Sequence, residues 1–202
     1  MVRSRREEYT ESTRRALLDS AAAAFVERGY AEASLDEIAR SARLTKGALY
    51  HHFSGKQDLF RAVFEEVEAE MIAAVLRAGA DEPDQWRRLL AGIRAFLDAC
   101  TTPRYRRIAL EEGPAGLGWN RWREIDHRYS LRLVRTPLDR LMSAGVLRPQ
   151  PVDLMARAVL AALTEAGMAV AAADDRDAAR REAEDFVTAL LSGFRTYESA
   201  GE

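Results

Sequence analysis

The chain has 202 residues, 48% of them hydrophobic and 31% charged, which is the balance of a globular protein of one or two domains. A formal net charge of -2 excludes a polycation, so any nucleic-acid surface has to be local. The single cysteine, Cys100, excludes an intrachain disulfide and a multi-cysteine zinc site, and no continuous apolar run approaches the roughly 20 residues of a membrane span.

Helical spacing runs through nearly the whole chain and strand alternation is almost absent. A first helix fits Glu11 to Arg28, with Leu17, Leu18, Ala21, Ala24 and Phe25 on one face and Gly29 as its stop. A second starts at Ser34, which stands three residues before Glu37 as in a capping box. A third starts at Thr45, a good N-cap, and runs to about Phe53 before the Ser54-Gly55 break. A long fourth helix fits Lys56 to about Arg77, with Leu59, Phe60, Val63, Phe64 and Val67 as its apolar stripe. Further helices are expected at Asp84–Cys100, Pro103–Glu112, Asn120–Ser143, Val152–Ala173 and Arg176–Tyr197. Glu112 to Gly118 reads as the most loop-like stretch, and a kink or break is expected near Pro137. The natural boundary falls near residues 55–80, inside or just after the fourth helix.

Both lysines of the chain, Lys46 and Lys56, lie in the segment from Ser34 to Lys56, while the other 28 of the 30 basic residues are arginines. On a helical wheel Leu49 and Phe53 face the core. Lys46 and Tyr50 form a neighbouring stripe that Gly47 and His51 continue away from it. That face offers an ammonium, a phenol, an imidazole and a glycine-bared backbone, groups suited to phosphates and to base edges in a major groove. The start of the third helix at Thr45, and Ser34 at the start of the second, offer amides to phosphate. A plain polar surface helix is the competing reading of the spacing alone.

The run from Ile38 to Leu59, I-A-R-S-A-R-L-T-K-G-A-L-Y-H-H-F-S-G-K-Q-D-L, resembles the signature of TetR-family transcriptional regulators, roughly I-A-x-x-A-G-V-S-x-G-x-L-Y-x-H-F-x-x-K-x-x-L. The match is close over residues 10–60 and architectural elsewhere. The resemblance implies an all-α fold of about nine helices: a three-helix helix-turn-helix head in residues 1–55 and a helical effector-binding and dimerisation domain in residues 56–202. It places Thr45, Tyr50, His52 and Lys56 on phosphates, Lys46 and Gly47 on backbone and base edges, and His51 at a variable position suited to reading a base. Arg43 departs from the usual turn glycine, and if left-handed costs roughly 1 kcal/mol that a phosphate contact could offset. Ala48 departs from a frequent threonine, exchanging a hydroxyl contact for a methyl that suits a thymine methyl. Arg3, Arg5 and Arg6 either follow the DNA or form a solvated tail.

The resemblance further implies a homodimer formed by the two C-terminal helices, a palindromic double-stranded DNA operator and a small-molecule effector. Trp86, Phe96, Tyr105, Trp119, Trp122 and Tyr129 are the candidate effector-pocket aromatics, each competing with a plain core role. The alternative is a DNA-binding regulator or architectural protein with no effector. No enzyme, cofactor, metal or membrane role is expected. Asp126, His127 and Ser130 are close in sequence, but on a helix His127 leaves the face shared by the other two. The N-terminus, charged rather than apolar after its first residues, lacks a secretory pattern, so a cytoplasmic location is expected.

Overall fold

The computed structural model describes residues 5–196. Among these are ten α-helices, one π-helical turn and no strand beyond an isolated bridge between Leu147 and Arg195. The chain divides into two compact units: residues 1–67 with 103–122, and residues 68–102 with 123–202. The segments Arg3 and Tyr197, and the side chains of Arg5, Arg6, Asp126 and His127, lie outside the described part.

The first unit begins with α1, Arg5–Glu32. This helix is longer than its pattern suggested: it starts at Arg5, ahead of Glu11, and helix resumes briefly after Gly29, whose φ of 80° and ψ of 172° break it. Then come α2, Leu35–Ser41, and α3, Lys46–His52. The first half of α4, Lys56–Ala78, belongs here as well. Leu17, Ala21, Phe25, Leu49, Leu59, Phe60, Val63 and Phe64 are wholly buried, so the stripes of α1, α3 and α4 meet in one core. Phe60 is its hub, with the rings of Phe25 and Tyr30 each 5.0 Å away in edge-on packing. Truncating a buried phenylalanine of this kind costs about 3–5 kcal/mol.

Residues 103–122 complete this unit. They form α6, Pro103–Tyr105, the π-helical turn Arg106–Glu111, α7, Gly113–Leu117, and the start of α8, Trp119–Ser143. The expected loop from Glu112 to Gly118 is thus mostly helix. Pro114 sits in its first turn, where a missing N–H costs nothing, and its glycines permit close packing. A Cβ on Gly116 would lie 2.6 Å from the Phe60 ring, and one on Gly113 would lie 2.7 Å from Trp122. Gln57 donates to the Gly116 carbonyl at 3.2 Å. The break at Gly29 is held from this segment too: Glu112 accepts the Tyr30 N–H at 3.0 Å and pairs with Arg107 at 3.1 Å.

The second unit is built on α5, Gln85–Thr101, α9, Val152–Ala172, and α10, Arg176–Ser192, which pack on one another. Asp84 caps α5 by accepting the Arg87 N–H at 2.7 Å. Gly167 lets α9 approach α5, since a Cβ there would lie 3.0 Å from both Cys100 Sγ and the Phe96 ring. An ion network ties α5 to α10: Arg94 with Glu184 at 2.9 Å, Arg180 with Asp98 at 2.7 Å and Arg180 with Glu184 at 2.6 Å. The helix α8 runs through Pro137 without a break. The last helix ends at Ser192, not Tyr197, because Phe194 and Thr196 turn back to bond Arg148 and Val146.

Among the described residues one helix is apolar enough on average to match a membrane span, although it holds no unbroken apolar run of that length. With 21 residues, α9 is long and apolar enough to cross a bilayer by length and composition, although Arg157 and Glu165 interrupt it. Its buried side, including Ala156, Val159, Leu160 and Val170, faces the other helices of its own unit.

Candidate nucleic-acid interface

The helix pair α2 and α3 is set by its turn. Arg43 donates its N–H to Arg40 and Leu44 donates to Ala39, each at 2.9 Å, which is the Schellman closure of a helix end. That closure needs a left-handed residue, and Arg43 supplies it with a φ of 59°. The residue is exposed, so its side chain is free of any packing demand that would explain the choice over glycine. Thr45 then caps α3 as the sequence suggests, its Oγ1 accepting the Ala48 N–H at 3.1 Å. Ser34 occupies the N-cap position of α2, but its side chain makes no capping bond. Neither half of the capping box forms, and the Glu37 carboxylate pairs with Arg28 of α1 instead. Asp36 and Glu37 still complement the helix dipole from the first turn.

The two faces of α3 separate as the wheel requires. Leu49 and Phe53 are buried, and Arg14 lies over the Phe53 ring at 5.3 Å. Thr45, Lys46, Gly47, Tyr50 and His51 are exposed, and Ala48 is half-buried. His52 is half-buried, with its ring 5.3 Å from His51 and 6.4 Å from Phe53. Burial pushes the His52 pKa below its ordinary value, and the charges of His51 and Arg14 add to that, with Glu11 opposing.

The two lysines are engaged within the head. The Lys46 ammonium lies 2.8 Å from Asp36, and this pairing raises its pKa. Lys56 donates to the Ala31 carbonyl at 2.6 Å and sits 5.0 Å from the centre of the Tyr30 ring. It therefore satisfies one of the orphan carbonyls at the end of α1. Nearby, Asp58 accepts the Ser54 N–H at 3.0 Å and holds Arg61 at 2.7 Å, which together keep its carboxyl below the usual range. Asp36, Tyr30 and Asp58 were not singled out from sequence. The acidic residue in the first turn of α2 was the one legible sign of a partner for Lys46.

The ten residues from Ser34 to Lys56 expected at DNA all fall in the first unit: at the N-cap of α2, in the turn before α3, along α3 and at the first residue of α4. The six aromatic residues are divided. Tyr105, Trp119 and Trp122 belong to the first unit, and Trp86, Phe96 and Tyr129 to the second. Trp122 is buried and its indole N–H donates to the Ala109 carbonyl at 2.9 Å, a satisfied core arrangement. Trp119 is half exposed, with its ring 5.0 Å from that of Trp122. Trp86 lies under the Arg195 guanidinium at 5.1 Å. A groove of about 360 Å³ on the first unit, lined by Asp19, Glu27, Arg28, Glu37 and Ser41 among others, holds none of the six. Ser130 is buried.

Comparison with known proteins supplies the family. Residues 17–63 match the model for bacterial regulatory proteins of the tetR family, and residues 86–194 match that for the tetracyclin repressor-like C-terminal domain. The chain is 30% identical to the transposon Tn10 TetC protein of Escherichia coli, over 76% of this chain and 77% of that protein. It is 40% identical to the transcriptional activator FasR of Mycolicibacterium smegmatis, over 41% of this chain and 37% of that one. A crystal structure of a TetR-family regulator from Pectobacterium atrosepticum superposes with a TM-score of 0.84 at 32% identity, covering 96% of this chain and 99% of the other. A left-handed helix-turn-helix closure, an exposed polar face on α3 and these matches over both parts of the chain agree: the protein belongs to the TetR family of DNA-binding transcriptional regulators.

Proposed function

We propose that this regulator is a homodimeric repressor that binds a palindromic operator in the cytoplasm and is released by a small-molecule effector. The observation that carries the reading is the exposed face of α3, where Lys46, Gly47, Tyr50 and His51 stand together while Leu49 and Phe53 lock the other side. Lys46, Tyr50, His52 and Lys56 contact phosphates in this reading, with Ser34, Arg43 and Thr45 beside them. His51, Gly47 and Ala48 meet base edges. An ammonium has three donors, so Lys56 can keep Ala31 and still reach a phosphate.

Dimerisation is supported by Leu154 on α9 and by Phe186 and Leu190 on α10, all exposed at 66%, 62% and 39% respectively. Large apolar groups held in water along the last two helices suit a two-fold interface. Two recognition helices about 34–36 Å apart would then read half-sites one DNA turn from each other. Residues 1–55 serve DNA in this scheme, and 56–202 serve effector and partner, with α4 as the lever. An effector that prefers another spacing of the heads lowers operator affinity by its differential affinity for that state. Of the six aromatic residues, Trp86, Phe96 and Tyr129 of the second unit are the proposed effector contacts. The protein is a binder, not a catalyst, in this reading. The name of FasR as an activator favours keeping a second possibility for the sign of regulation.

Selection of bound sites from random DNA tests the reading, followed by titration of the selected duplex at several salt concentrations. A palindromic site, bound by a dimer, is expected. Lys46→Ala and Lys56→Ala should each lower the salt slope by about one, and His51→Ala should relax the site preference. Absence of any selected sequence rejects the operator. Unchanged affinity across a broad ligand screen rejects the effector.

A further inference from the structure

Asp36 stands in the first turn of α2, and its carboxylate oxygens lie 2.8 Å and 3.2 Å from the Lys46 ammonium at the first turn of α3. Both side chains are more than half exposed, at 54% and 59%. The pair thus spans the starts of both helices of the helix-turn-helix, on the side that carries Lys46. A carboxylate there is an odd choice for a surface that meets a polyanion. Its helix-dipole role does not demand the contact, because any acidic residue in that turn serves the dipole whether or not it touches Lys46. Arg40 leaves the carboxylate to Lys46, since its Nε donates to the Asp36 backbone carbonyl instead, at 3.3 Å.

We propose that Asp36 is a specificity-determining residue, an internal stand-in for phosphate that occupies Lys46 in the free protein and has to be displaced at every DNA site. The inference rests on Lys46 being a DNA contact. An exposed ion pair is weak and opens readily. Once it opens, however, the carboxylate is left beside the phosphate chain, and the repulsion is felt within a Debye length. Non-specific DNA offers no compensation for that charge. A cytosine correctly placed in a site does, because its N4 amino group donates to an acidic side chain. The penalty therefore falls more heavily on wrong sequences than on the right one. Specificity here arises from a repulsive element as well as from attractive contacts.

The test uses the full chain with Asp36→Asn, Lys46→Ala and the double variant. Each is titrated with the selected operator and with a scrambled duplex of equal length over a range of salt. Asp36→Asn keeps the shape and is exposed, so the fold is retained, and a melting curve checks this. Asp36→Ser serves as a second probe of the same charge removal. For Asp36→Asn, affinity for scrambled DNA should rise about tenfold at low salt, and affinity for the operator by less than about threefold. In the Lys46→Ala background the gain on scrambled DNA should shrink, since the two residues act through one another. Equal gain on both duplexes, no gain, a loss, or a full gain without Lys46 each overturns the proposal. If wild-type protein selects no sequence and Lys46→Ala binds DNA normally, the DNA reading itself has failed and this inference with it. If both of those controls behave as expected and Asp36→Asn is neutral, only the inference has failed.

Discussion

Lys56→Met separates the tie that the structure shows for this side chain from the phosphate contact proposed for it. The ammonium donates to the Ala31 carbonyl at 2.6 Å and lies 5.0 Å from the Tyr30 ring centre, so it ties the start of α4 to the end of α1. A charge-assisted hydrogen bond contributes about 1.5–3 kcal/mol, with the lower end fitting a partly exposed site. The ring contact adds about 0.5 kcal/mol. Against these stand roughly 1 kcal/mol for freezing the long side chain and about 0.3 kcal/mol for a cation at a helix N-terminus. The net loss expected for Lys56→Met is therefore about 1 kcal/mol, near 2–4 °C in melting temperature for a chain of this size. Urea denaturation monitored by circular dichroism measures it, alongside DNA titration. Stability and salt slope should both fall. A variant that loses only the salt slope, with unfolding free energy unchanged within about 0.3 kcal/mol, refutes the tie between α1 and α4.

Gly29→Ala places a Cβ 2.6 Å from Glu112 Oε1 at a φ of 80°, and should cost about 2 kcal/mol through strain and loss of the Tyr30 bond, read by urea denaturation. Arg43→Gly relieves a left-handed residue at φ 59°; the gain of about 1 kcal/mol is partly offset by glycine's larger unfolded entropy, so a small rise in stability is expected with weaker DNA binding. The lowered pKa of His52 means that the unfolded chain takes up its proton first as pH falls through about 6.5, so stability is lost on acidification, and His52→Gln should flatten the fall of melting temperature below about pH 7. Cys100 is wholly buried and burial pushes its thiol pKa far up, so a thiol reagent should label it only on unfolding; fast labelling of native protein would contradict that.

Much of the architecture follows from short-range pattern. The stripes Leu17-Ala21-Phe25 and Leu59-Val63-Phe64 repeat at helical spacing, and the structure buries all of them. Thr45 caps α3 because an N-cap bond joins residues three apart and depends on nothing distant. The place of α3 in a helix-turn-helix was legible for the same reason: its motif occupies one contiguous stretch. Local pattern misled where a distant partner competed. Ser34 and Glu37 have capping-box spacing, yet the Glu37 carboxylate pairs with Arg28 instead. The glycines around α7 read as loop, but two of them are close-packing positions, against Phe60 and Trp122.

What the sequence by itself determined is the helical class, the core-facing stripes and the polar face presented by Lys46, Tyr50 and His51, since periodicity and capping act over a few residues. Only the tertiary structure decided the partners of the charges and which segments belong together. Lys56 meets Ala31 across 25 residues, Tyr30 meets Glu112 across 82, and residues 103–122 pack into the unit of the reading head. Such contacts depend on how helices stack in space. Side-chain charge and hydrogen-bonding capacity are written in each residue, but the neighbour that answers them is chosen by packing.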